Sequence, residues 1–244
     1  MAGHKMTASK MAAEIRNLLK TGGSSEHAAG AQRFFKEEIE SRGWDTGDLR
    51  RSATGLRLKI RNEFGLEFLV RVADRLFTGR VLEEKIYAVF LLEKITPQLS
   101  DAEFELFESW LSRISSWADH DGLVHYLIGP MIVVKPARIL RVFLWARTAN
   151  RWHRRAACVA LIHATRKKIA FAQVVRLSNL LLNDEDDMVQ KGLGWLLRET
   201  AKADARRTVP YLMSIRGRAP RLVLRTACET LPPSVRKRIL SKTP

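Results

Sequence analysis

The residues with the clearest capacity for chemistry are Trp117 and Asp121, in the stretch Ser116-Trp117-Ala118-Asp119-His120-Asp121. Four positions apart on a helix, an indole and a carboxylate lie on one face about one turn from each other. Two later segments repeat the pattern with the charge reversed, Trp152-His153-Arg154-Arg155 and Trp195-Leu196-Leu197-Arg198. The three segments are expected on neighbouring helices of an array whose concave face holds a nucleic acid. Asp121 is then the chemically active group, and the indoles and guanidinium groups meet a sugar-phosphate chain.

The charge balance agrees with such a partner. Lys and Arg number 42 against 26 acids, a formal net charge of +16, and an excess of this size favours a polyanion. The basic residues spread through the whole chain, whereas attraction to anionic lipid would need a juxtamembrane block. No apolar run has the length of a membrane span, and Met1-Ala2-Gly3-His4-Lys5-Met6 opens without a signal-peptide core. Cys158 and Cys228 lie inside apolar stretches with no CxxC or Cys/His spacing and read as small buried residues in a reducing compartment. These features set the expectation of a monomeric, cytoplasmic, nucleoid-associated protein with no membrane partner.

Apolar periodicity supplies the elements that would position these groups. Residues 1–7 read as a frayed tail, and residues 8–20 carry Met11, Ile15, Leu18 and Leu19 on one helical stripe. Gly22-Gly23-Ser24-Ser25 breaks that helix. Ser25 is expected to cap the next, which contains Gln32-Arg33-Phe34-Phe35-Lys36 and ends near Gly43. Residues 44–65 give no clear period and are strongly basic through Arg50, Arg51, Arg57, Lys59 and Arg61. Helix pairs follow at 66–77 with 81–95; at about 100–114 with a short helix holding Asp121; at 137–146 with 151–165; at 170–182 with 187–203; and at 206–215 with 220–230. No alternating apolar run is flanked by hairpin turn residues. The chain is therefore expected to be all-α, one domain over 1–244. Pairs recurring about every 35 to 45 residues match a HEAT-like or armadillo-like helical repeat solenoid, here a right-handed superhelix with a concave basic groove. Equivalent positions of successive repeats line one surface, so the three Trp-bearing helices would share a face.

Common enzyme signatures are missing. The sequence has no Walker-type phosphate loop, HExxH, GxSxG or Cys/His metal spacing, so neither a cofactor nor a metal is expected. Asp184-Glu185-Asp186-Asp187 precedes a helix and reads as a complement to its positive end more readily than as a calcium site. His120 and His125 read as structural or surface groups. Taken singly, a helical carboxylate is a solvated group, a Trp is core, and Arg154, Arg155 and Arg198 are surface charge. Their recurrence at the repeat spacing is what favours a common functional face.

Residues 116–121, 150–156 and 189–199 resemble the three motifs of the bacterial alkylpurine DNA glycosylases built from HEAT-like repeats, the AlkD type. The third segment, Val189-Gln190-Lys191-Gly192-Leu193-Gly194-Trp195-Leu196-Leu197-Arg198-Glu199, is the most specific, and the likeness runs from about residue 30 to about 230. It implies double-stranded DNA bearing N3- or N7-alkylated purines as substrate, with 3-methyladenine and 7-methylguanine as the leaving bases. By position, Asp121 matches the catalytic carboxylate. Trp117 and Trp195 match the aromatic pair at the lesion deoxyribose, and Arg155 matches a basic residue at the lesion backbone. Arg198 follows the third-motif Trp, while Trp152, Arg154 and Lys191 lie within the motifs in supporting DNA-binding roles.

So sparse a site fits the implied chemistry. An alkylated purine already carries positive charge and leaves as a neutral base, so no general acid is required. One carboxylate beside C1′ can stabilise the oxocarbenium and position or deprotonate water. No Schiff-base lysine is needed, which implies a monofunctional glycosylase that leaves an abasic site. The resembled family acts with the damaged base stacked and exposed, whereas most glycosylases flip it into a pocket. The alternative is a noncatalytic HEAT-like repeat protein that binds damaged or structured DNA or RNA; the carboxylate flanked by two tryptophans favours the enzyme.

Overall fold

The structure, a computed structural model, describes residues 6–241. Among them every named element is helical, and the one β-bridge is isolated, between Glu40 and Val81. None of the helices is long and apolar enough to cross a membrane. The first five residues of the expected tail lie outside the described residues. Thr7, at its end, is ordered as a helix cap whose hydroxyl accepts from the Lys10 N–H at 3.2 Å. The chain divides into two compact units, one up to Leu127 and one from Ile128.

The first unit holds α1 (Ala8–Thr21), α2 (Ser25–Ala31), α3 (Thr46–Phe77), α4 (Leu82–Leu92), α5 (Asp101–Trp110) and α6 (Trp117–Leu123). Its core forms where α3 and α4 lie side by side. Leu69, Val72, Leu76 and Phe77 of α3 meet Tyr87, Leu91 and Leu92 of α4 with essentially no exposure. Each such side chain contributes roughly 1.5–3 kcal/mol of burial. Trp110 of α5 closes one side, stacking on Phe77 at 4.3 Å and donating from Nε1 to Asp74 Oδ1 at 2.8 Å. At the start of α5, Ser100 and Glu103 form a capping box.

Two expectations for this unit fail. The helix expected to end near Gly43 ends at Ala31, followed by one 3-10 turn at Gln32–Phe34, and its cap is Ser24, not Ser25. Gln32 redirects the chain there: its carboxamide donates to Glu37 O at 2.8 Å and accepts from Ile39 N at 3.0 Å, so it replaces helical bonds with side-chain ones. Residues 36–45 then run as non-helical chain. They are fastened by the buried Glu83, whose carboxylate accepts from the Arg42 and Gly43 N–H groups and the Ser41 hydroxyl at 2.7–2.8 Å. Secondly, the stretch without a clear period is helical, the first part of α3. Its buried stripe is Leu49, Ala53, Arg57 and Ile60, and the Arg in the middle hides the apolar period. Arg57 Nη1 donates to Phe90 O at 3.2 Å. Gly65, at φ 82° and ψ 178°, interrupts α3 with a conformation that side-chain-bearing residues avoid.

The second unit contains α7 (Gly129–Val134), α8 (Ile139–Trp145), α9 (Arg151–Val159), α10 (Ile162–Arg166), α11 (Phe171–Leu181), α12 (Asp187–Ala203), α13 (Ala205–Ile215), α14 (Arg221–Ala227) and α15 (Pro233–Leu240). α12 is its centre and packs against α9, α10 and α14. Its start has the expected electrostatic design: Asp186 caps the helix, accepting from the Met188 and Val189 N–H groups at 2.9 and 3.2 Å. Asp184 and Asp187 pair with Arg154 and Lys191. Both cysteines are free and buried, and burial pushes the Cys158 thiol up to about 12. The folded protein should therefore leave Cys158 unmodified by a thiol reagent at pH 8; rapid labelling without unfolding would contradict this packing.

Candidate active site

Short α6 carries both Trp117 and Asp121, and it is fastened at its start. Asp119, fully buried, accepts through Oδ1 from Ser116 N and Oγ, both at 2.7 Å. Through Oδ2 it accepts from Ser115 N at 2.9 Å and Lys85 Nζ at 2.9 Å. Lys85, on α4, also donates to Arg113 O and Ser115 Oγ. Burial by itself would raise the Asp119 carboxyl, but the Lys85 ammonium and the serine donors hold it below the ordinary carboxylate range. The two acids of α6 thus have separate work. Asp119 anchors the helix inside the unit, while Asp121 reaches the surface with 20 % of its side chain exposed.

Asp121 is oriented from beneath. His120 has no exposed surface, and its Nδ1 lies 2.7 Å from Asp121 Oδ1. Directly after α6 the backbone widens into a π-helical turn, Val124–Ile128, a feature that recurs near functional sites. Trp117 is half-buried. Its ring stacks on Phe35 at 5.1 Å with 15° between planes, and its Nε1 donates to Phe34 O at 3.2 Å. The 3-10 turn after α2 and the Phe35 that follows it therefore set the plane of this indole, and Phe34 stands 69 % exposed. Neither phenylalanine is a site residue by motif or spacing. The adjacent Phe-Phe pair was the only available signal.

In the second unit α9 carries Trp152, Arg154 and Arg155, and α12 carries Lys191, Trp195 and Arg198. Two of these positions are buried. Trp152 is 8 % exposed and belongs to the core, covered on one face by Arg151 at 4.9 Å, so it does not offer an open aromatic face. Arg155 is 5 % exposed and donates from Nη1 to Met188 O at 2.6 Å. The local reason for Arg155 is helix contact: it lies against α12, which packs on α9. Arg154 is engaged by Asp184 at 2.6 Å and by the carbonyls of Thr148 and Ala149. Arg198 pairs with Glu229, and Lys191 with Asp187 at 3.2 Å. Lys191, Trp195 and Arg198 all keep partial exposure.

The two glycines before Trp195 follow from close approach. A Cβ at Gly192 would meet Arg155 Cγ at 3.1 Å, and one at Gly194 would meet Thr226 Cβ at 2.6 Å and Val223 O at 3.1 Å. α9 and α14 thus press on α12 on either side of the motif and set the height at which Trp195 stands. Gly194→Ala should cost roughly 1–3 kcal/mol by overpacking. A denaturant midpoint equal to wild type would show that α14 yields freely.

The fold is helical throughout its named elements, and one short helix carries both an indole and a carboxylate. It is similar to a solved structure described as a predicted DNA alkylation repair enzyme from Enterococcus faecalis. The TM-score is 0.77 at 17 % identity, over 86 % of this chain and 97 % of that one. The family model described as DNA alkylation repair enzyme matches residues 15–231, and the chain belongs to that family. None of the curated proteins matches the chain.

Proposed function

We propose that the protein is a monofunctional DNA glycosylase that removes positively charged N3- or N7-alkylated purines from double-stranded DNA. The observation that carries the reading is Asp121: a partly exposed carboxylate, one helical turn from Trp117, held by a buried imidazole on a helix that is itself anchored. When the C1′–N9 bond breaks, its electron pair goes to the base, cancels the positive charge and releases a neutral purine. The deoxyribose becomes an oxocarbenium ion, which Asp121 stabilises electrostatically. Water adds to C1′ and gives its proton to Asp121 or to solvent, leaving an abasic site with a C1′ hydroxyl. Trp117, one turn from Asp121, supplies an aromatic face to that cation, and Trp195 is a second candidate aromatic contact to DNA. Lys191 and Arg198 would contact phosphates after exchanging their present carboxylate partners. Trp152 and Arg155, being buried, support α12 instead of touching DNA directly.

The test is incubation with duplex DNA containing N7-methylguanine, followed by separate detection of free base and strand breakage. Free base with an intact abasic strand is expected. Binding without release would instead support the noncatalytic alternative. With a net charge of +16, affinity should also fall steeply with salt: about five phosphate contacts give a log–log slope near −4.5, which lowers it roughly five-hundredfold for about a fourfold rise in salt. Binding that does not change between low and high salt would argue against a phosphate-dominated interface.

A further inference from the structure

We infer that His120 is a positioning residue for the reactive carboxylate: its Nδ1–H fixes the orientation of Asp121 through a hydrogen bond to Oδ1. This rests on the proposed role of Asp121. Neighbouring residues on a helix point about 100° apart, so an imidazole and a carboxylate at adjacent positions do not meet by default. Here they do, with His120 Nδ1 2.7 Å from Asp121 Oδ1. An ionised carboxylate only accepts, so the imidazole must carry its proton on Nδ1, which settles the tautomer.

Position 120 belongs to the inner face of α6 with Gly122 and Leu123. An apolar side chain there would meet the packing requirement at lower desolvation cost than an imidazole with no exposed surface. The imidazole contributes direction. A carboxylate on a surface helix samples several rotamers, and only some place its charge against a given C1′. Fastening one oxygen from below fixes the direction of the carboxylate charge, with reorientation completed before DNA arrives. The neighbouring Asp119 cannot do this, since both of its oxygens are occupied by Ser115, Ser116 and Lys85.

The experiment compares wild type, His120→Leu and His120→Asn in single-turnover release of base from a duplex with one N7-methylguanine, alongside duplex Kd and melting temperature. Leu keeps volume without a donor, whereas the Asn carboxamide places an N–H near the Nδ1 position. The Leu variant should lose about tenfold or more in rate with Kd within about twofold, since a hydrogen bond made to the charged group acts on the chemical step. The Asn variant should recover most of that rate. A Leu variant as fast as wild type overturns the inference. So does an Asn variant as slow as Leu when both keep wild-type Kd and melting temperature. If Leu fails to fold, Asn decides alone: near wild-type rate supports positioning, and a rate as low as that of Asp121→Asn overturns it. Wild-type protein that binds duplex but releases no base would overturn the glycosylase reading itself, and the inference with it, which is distinguishable from release unaffected by His120.

Discussion

Asp121→Asn is expected to abolish base release while leaving the fold and DNA affinity nearly unchanged. The substitution keeps shape and one oxygen, so a carboxamide oxygen can still accept from His120 Nδ1 and hold the same rotamer. Only the charge is removed. A unit negative charge about 4 Å from a developing cation, at an effective dielectric near 20, is worth about 4 kcal/mol. That corresponds to roughly a thousandfold in rate, within the range seen when a preorganised charge-stabilising group is deleted. Duplex Kd should move by less than about threefold, because phosphate contacts carry most of the affinity. Equal single-turnover rates for the variant and wild type would remove Asp121 from the mechanism.

Lys85→Met is expected to have the largest effect on stability. It leaves the Asp119 carboxylate buried without its cation, a change that typically costs about 3–5 kcal/mol. The Arg113 carbonyl and the Ser115 hydroxyl lose the same donor. α6 is held at its start by this cluster, so the variant should lose both denaturant midpoint and base release. Lys85→Met combined with Asp119→Asn should be milder than the single change, because no orphaned charge remains. The sign with pH follows from the lowered folded-state carboxyl of Asp119. Its contribution is fully present above the unfolded value of about 4 and is lost as pH falls through the lower folded value. Wild-type stability should therefore hold from neutral pH to about 4 and decline below, with the step much reduced in the double variant. A Lys85→Met protein as stable as wild type would contradict the role of the pair.

Legibility in the sequence followed the physics of each element. α12 was readable to both ends, because an acidic cap, a long apolar stripe and a terminal Asp all agree. The start of α3 was not, since Arg57 occupies a core position and satisfies itself on a carbonyl, which no periodicity reveals. The end of α2 depends on one Gln folding over its own backbone, an interaction invisible to propensity. The charged pair at Lys85 and Asp119 joins residues 34 apart in the chain and has no local signature.

At the candidate site, spacing placed Trp117 and Asp121 on one helical face, whereas the contact of His120 with its immediate neighbour escapes any argument from i, i+4 spacing. The burial of Trp152 and Arg155 was not legible for a different reason. Residue type suggests a polyanion-binding surface, but both side chains are buried, and the Arg155 guanidinium is accommodated by the Met188 carbonyl of α12. Much of the positive charge is likewise used inside the molecule, as with Arg16 on Glu84, Arg166 on Glu199 and Arg154 on Asp184. Net charge therefore indicates the sign of the partner better than it identifies the contacting residues.

The central claim is that the lesion brings its own positive charge and the protein supplies one oriented negative one. The most direct measurement is single-turnover release from two duplexes that differ only at one base, N7-methylguanine in one and the neutral hypoxanthine in the other. Release of the charged base, with none of the neutral base over the same period, is the predicted result. Comparable release of hypoxanthine would demand a group that protonates the departing base, and would contradict a site built around Asp121 alone.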